Sequence, residues 1–241
     1  LGIIDDLIES LRDDEPVDEV RIGAHLTAVC SRHWGLASTL LRGTHDREAG
    51  HIERAGKLTQ QTALELASLA RSSISLEASI GLAAMNSLLD VDDSRLVDLN
   101  AGDLLIERSG GKKVALIGHF PFVPQLRKAA GQLAVIELSP QPGDIHADEG
   151  DVFVEEADIV AITGSALINH TLERILRLCR LDSFVMVLGP TTPLSPILFD
   201  HGVDVLSGTL VVDQEAALRC LGEGAAFRQM QGVRLVTMKR D

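Results

Sequence analysis

Tyrosine is absent from this chain, tryptophan occurs once, and aromatic residues make up only 3% of its 241 positions. So few stacking surfaces argue against a single-stranded nucleic-acid binder. Positive charge is also scarce. The 22 Lys and Arg face 35 Asp and Glu, for a formal charge of −13. That balance aids solubility and disfavours a phosphate backbone or an anionic membrane surface as partner. Cysteine is limited to Cys30, Cys179 and Cys220, with no Cys-x-x-Cys pair, so neither a disulfide framework nor a zinc knuckle is indicated. Reduced thiols in a cytoplasm are the simplest expectation. No apolar run is long enough to cross a bilayer, and Leu1–Asp6 lacks the basic front end of a signal peptide. A cytoplasmic protein with no nucleic-acid or membrane partner is expected.

An apolar fraction of 45% supplies a packed core. The first half mixes structure types. Ile3, Ile4, Leu7, Ile8 and Leu11 form a stripe at helical spacing, ended by Asp13-Asp14-Glu15-Pro16. Three short strands are expected near 17–22, 25–31 and 36–41, as an antiparallel meander. Helices are expected over 63–71, from Glu77 to about Leu89, and around Leu104–Ile106 with Asn100 as cap. Ser109-Gly110-Gly111 is the expected link, dividing residues 1–108 from 112–241.

After the link, apolar strands alternate with helical segments, the pattern of a parallel sheet wound on both faces. Each strand runs into a loop rich in ligand chemistry. Val114–Ile117 meets Gly118-His119-Phe120-Pro121, and Ala134–Ile136 meets Glu137. Ile159–Ile162 meets Thr163-Gly164-Ser165, and Phe184–Leu188 meets Gly189-Pro190-Thr191-Thr192-Pro193. In such sheets ligands sit beyond the carboxyl ends of the strands, where strand order reverses.

Two stretches carry a family resemblance: Glu77-Ala78-Ser79-Ile80-Gly81-Leu82-Ala83-Ala84-Met85-Asn86, and Lys113–Pro121 together with Gly189–Pro196. They resemble a bacterial and archaeal family of unassigned function that carries a heavy-metal chelation label. The resemblance implies an α/β protein: a small α+β N-terminal domain, similar to that of enolase, followed by a Rossmann-like parallel-sheet domain. It also implies metal handling or a step related to cobalamin synthesis.

Each candidate residue has a functional and a structural reading. His119 can be a proton donor or acceptor, or a metal ligand, against a histidine simply bonded within its turn. Only Gly118 survives of the Gly-x-Gly-x-x-Gly fingerprint, and Phe120 and Pro121 obstruct a pyrophosphate, so NAD and FAD are not expected. Glu137, 19 positions on, suits a diol, against a solvated strand-end acid. Thr163, Gly164, Ser165, Gly189, Thr191 and Thr192 offer hydroxyls and free N–H groups suited to a carboxylate or phosphate, against ordinary turn chemistry. Glu77 opens a helix whose small residues, Gly81 included, imply close approach by a ligand or, more simply, by another helix.

His45, Asp46, Glu48, His51 and Glu53 have a composition that suits a transition metal, but their spacing matches no ligand pattern and reads as a solvated loop. Cys179 and Cys220 read as packing residues. No Walker loop, nucleophile elbow or metalloprotease helix occurs. The leading expectation is binding of a metal or of a small polar, metal-bearing ligand in a cleft between the two domains. A cofactor-biosynthetic enzyme using His119 as acid/base, and a non-catalytic assembly subunit, stand beside it, and self-association of the chain is left open.

Overall fold

The computed structural model describes residues 2–40 and 51–240. Helix α1 (Ile3–Glu9) buries Ile3 and Leu7, two positions of the N-terminal stripe. Strands β1 (Glu19–Ile22), β2 (Leu26–Cys30) and β3 (Trp34–Ser38) form the expected antiparallel meander. The third strand stops three residues early. At its last residue the Ser38 N–H is bonded to the Thr191 hydroxyl at 2.9 Å, and beyond it the Leu40 N–H is bonded to Ser79 Oγ at 3.3 Å, so the chain leaves the ladder for partners outside the small sheet.

Helix α2 (Ala63–Ala67) starts on a capping box, Thr62 with Glu65. It passes into a 3-10 turn at Ser68–Arg71. Helix α3 (Ser75–Leu88) has 14 residues, of which all but Ser75 and Asn86 are buried. A helix apolar or small on every side belongs inside a protein. It lies under β2 and β3 and against α2. Gly81 permits this: a Cβ there would sit 2.0 Å from the Ala70 nitrogen.

The remaining elements build one eight-stranded sheet. They are β4 (Leu96–Val97), α4 (Ala101–Arg108), β5 (Lys113–Ile117), α5 (Val123–Ala129), β6 (Gln132–Glu137), β7 (Ile145–His146), α6 (Asp151–Glu155) and β8 (Ile159–Thr163). Then come α7 (Ser165–Ile168), α8 (Leu172–Leu178), β9 (Phe184–Leu188), α9 (Ile197–Asp200), β10 (Val205–Val211), α10 (Gln214–Gly222) and β11 (Val233–Lys239). The order is β4-β11-β10-β9-β8-β5-β6-β7. From β7 to β10 all pairs are parallel, whereas β11 runs antiparallel to β10 and β4.

The fold is thus mixed α/β, with a small antiparallel sheet beside a larger, mostly parallel one. Asn100 caps α4 as expected, accepting from the Gly102 and Asp103 N–H groups. Ser109 is buried while Gly110 and Gly111 are exposed. Helix α4, just before them, packs Leu104 and Leu105 with Val114 and Leu116 of β5. The main core runs without a break from Ile3 to Met238 and so joins both sheets. Among the described residues, no helix is long and apolar enough to cross a membrane.

Candidate functional site

The chain moves from β5 outward to β6, then returns past β5 to β8, β9 and β10. Strand order therefore reverses between β5 and β8, and the loops leaving their carboxyl ends part there to leave a crevice. A cavity of about 310 Å³ occupies this place, lined by Gly118, His119, Phe120, Glu137, Thr163 and Ser165 among others. These six candidates lie within a 48-residue span, and the parallel register of β5, β6 and β8 brings their strand ends to one level.

Gly118 sits at φ +102°, and a Cβ there would be 3.0 Å from Thr163 Cβ. The turn can close against β8 only without a side chain. Its next residue is held twice. The Glu137 carboxylate accepts the His119 backbone N–H at 2.8 Å and the Leu138 N–H at 3.0 Å. The His119 ring meets Asp144, with Nδ1 to Oδ2 at 2.9 Å. An ionised carboxylate only accepts, so Nδ1 carries the hydrogen. Asp144 also accepts the Gln141 N–H at 3.1 Å, and its side chain is 2% exposed against 30% for His119. The imidazole is thereby oriented from behind, and Nε2 makes no hydrogen bond among the described residues.

The far wall comes from α7 and α8. Asn169 Oδ1 accepts from the Thr171 N–H and hydroxyl. Arg174 is paired to both Asp151 oxygens at 2.6 and 2.7 Å. Thr163 Oγ1 accepts the Ser165 N–H at 3.3 Å. The floor is apolar, with Ile117, Ile136, Val154 and Ile175.

Other candidates stand elsewhere. Glu77 is 6% exposed and accepts the Glu53 N–H at 2.8 Å and the Ser72 hydroxyl at 2.6 Å. It ties α3 to the preceding chain. Thr191 accepts the Ser38 N–H and donates to Ser38 Oγ at 3.1 Å, while its carbonyl accepts from Asn86 Nδ2 at 3.2 Å. The loop after β9 thus fastens the two sheets together. Gly164 lies against Thr192, with a hypothetical Cβ 2.7 Å from the Thr192 nitrogen. Gly189, at φ +115°, borders a different cavity. His45, Asp46 and Glu48 lie outside the described residues, whereas His51 and Glu53 are exposed.

Asp144, Asp151, Asn169 and Arg174 join the site only through the fold. Asp144 closes a Pro/Gly loop and Arg174 sits on the polar face of an amphipathic helix, neither a signal that separates a cleft residue from a solvated one.

A chelated heavy metal needs several soft or borderline donors around one point. Among the described residues, no group of three or more His, Cys, Asp or Glu could hold an ion. Burial pushes the Cys179 thiol up to about 11, and it donates to the Ile175 carbonyl. Desolvation, then Asp18 and Glu19, also raise Cys30. Neither thiol is poised to become a thiolate ligand at neutral pH. The described donors do not fit a chelate.

A model of the DUF364 family, described as "putative heavy-metal chelation", matches residues 100–239. A DUF4213 model with the same description matches residues 4–89. An uncharacterised protein of Methanocaldococcus jannaschii is 28% identical over 191 residues, covering 76% of this chain and 72% of that protein. The crystal structure of a DUF364 protein of unknown function from Desulfitobacterium hafniense is 28% identical, with TM-score 0.85 over 99% of this chain and 98% of that one. One from Pyrococcus horikoshii, at 21% identity, shares the fold with TM-score 0.83 over 99% and 98%. With more than half of its length matched by that model, the chain belongs to the DUF364 family, whose description names heavy-metal chelation.

Proposed function

We propose that the crevice between β5 and β8 binds a small polar organic ligand, neutral or cationic, through His119 Nε2 and the Glu137 and Thr163 rim. One observation carries this reading: the His119 ring is held at Nδ1 by the almost fully buried Asp144, and His119 lines the cavity. A histidine that served only its turn would not need a buried carboxylate to aim it. Charge narrows the ligand. Among the described residues, Glu137 and Asp151 line the cavity, Asp144 backs it, and the one guanidinium in the lining, Arg174, is already paired. A phosphate or free carboxylate would meet net negative charge. A metal fits this donor set best when the ligand brings its other donors with it, so that the protein adds a single imidazole.

The same pair favours one second reading, an enzyme in which His119 is general acid/base and Asp144 fixes its tautomer. Native mass spectrometry of protein purified without added metal tests the first. We expect a retained organic mass that is lost from His119→Ala, a fall in affinity of at least about tenfold, or 1.4 kcal/mol. Stoichiometric Ni²⁺ or Zn²⁺ binding to the ligand-free chain by calorimetry, abolished by His119→Ala, would overturn it in favour of direct chelation.

A further inference from the structure

Phe120 lines a second cavity as well, of about 440 Å³, bounded by the end of β9, the middle of β10 and β11, the start of α4 and the 3-10 turn Phe227–Gln229. Apart from Phe120 it shares no residue with the crevice. Its walls are mostly apolar. Phe120 and Phe122 stack at 5.2 Å between centroids with their planes 16° apart. Leu235, 45% exposed, lies on β11 directly opposite Thr209 of β10. At Gly189 a side chain would meet nothing within 4 Å, so the groove stays open beside β9.

Polar features are few and specific. Arg228 stands at the edge without an ion-pair partner among the described residues, and Asp103 is the other charged residue of the lining. An apolar floor with a few convergent polar groups is the general form of a small-molecule site.

We propose that this groove is a second ligand site, taking a small flat aromatic compound that carries a single anionic group. The ring packs on Phe120, Phe122 and Leu235, and the anion pairs with Arg228. Asp103 at the same rim disfavours polyanions.

Anilinonaphthalene sulfonate, titrated into the full chain and followed by its fluorescence, tests the site. We expect saturable binding of one probe per chain. Leu235→Glu should weaken it at least about tenfold, Arg228→Gln several-fold, and His119→Ala not at all. Should Leu235→Glu lower the melting temperature, Arg228→Gln decides, because that side chain is exposed and unpaired. Unsaturable binding, affinity unchanged in Arg228→Gln, or loss in His119→Ala would each overturn the proposal. The last would put the probe in the β5–β8 crevice and leave the reading of that crevice intact.

Discussion

Replacing Gly81 by alanine sets two effects of known sign against each other. Alanine is favoured over glycine inside a helix by about 1 kcal/mol, so on propensity alone α3 should gain. The structure opposes this. A Cβ at position 81 would lie 2.0 Å from the Ala70 nitrogen, 2.6 Å from the Leu69 carbonyl carbon and 2.7 Å from the Ala70 Cα. All three are backbone atoms of the 3-10 turn, and no side chain can swing aside. Ordinary carbon contacts need more than 3.4 Å, so the turn and α3 must separate by over an ångström along a face that is fully buried. Overpacking of this kind costs about 1–3 kcal/mol and sometimes more. With backbone on both sides the upper end applies, leaving a net loss of about 1–2 kcal/mol after the helix gain. For a chain of this size that is a fall in melting temperature of roughly 2–8 °C. Thermal denaturation followed by circular dichroism measures it. A melting temperature equal to or above wild type would refute the packing argument and reopen the alternative that Gly81 is small in order to admit a ligand.

Glu77→Gln keeps the size of a side chain that accepts two hydrogen bonds, from the Glu53 N–H and the Ser72 hydroxyl. Exchanging the carboxylate for an amide should cost about 1–3 kcal/mol of stability while leaving retention of the co-purifying ligand unchanged, as native mass spectrometry would report; loss of ligand without loss of stability would return Glu77 to the site. The Cys179 thiol has a raised pKa in the folded chain, about 11 against an ordinary 9.0, because burial disfavours the thiolate. Its contribution to stability is therefore complete below pH 9 and is lost as pH rises toward 11. Cys179 should resist alkylation at neutral pH in the native chain and react after denaturation, which peptide mapping after iodoacetamide treatment would show; prompt native labelling contradicts the assignment.

Much of the site was written in local sequence. Gly118, His119, Glu137, Thr163 and Ser165 follow directly on apolar strands, and parallel pairing of β5, β6 and β8 brings those strand ends together without further information. What the sequence could not show depends on distant pairings. Thr191 reads as a ligand-grade hydroxyl, yet its partner Ser38 lies 153 positions away in the small sheet. Glu77 opens a helix like any first-turn acid, and only the fold reveals that it is buried. Asp144 is one acid among 35 Asp and Glu, and its meeting with His119 depends on a loop path rather than on any periodicity. Strands β4 and β7 have two residues each, too few for a period to register.

The family description and the donor chemistry of the described residues lead in different directions, and the ligand proposed above reconciles them. Direct chelation asks for several converging ligands with their outer partners in place. Here one imidazole has its outer partner, since Asp144 holds Nδ1 at 2.9 Å from a side chain only 2% exposed. The Glu137 carboxylate, which lines the same cavity, accepts two backbone N–H groups. The described residues therefore bring one oriented imidazole to a cavity with an apolar floor. On the reading proposed above, a single imidazole does not chelate a free heavy metal but completes an open coordination position on a metal already carried by an organic ligand. Selectivity in such an arrangement lies in the shape of the bound organic portion, which is what a cleft with Ile117, Ile136, Val154 and Ile175 beneath it is equipped to read.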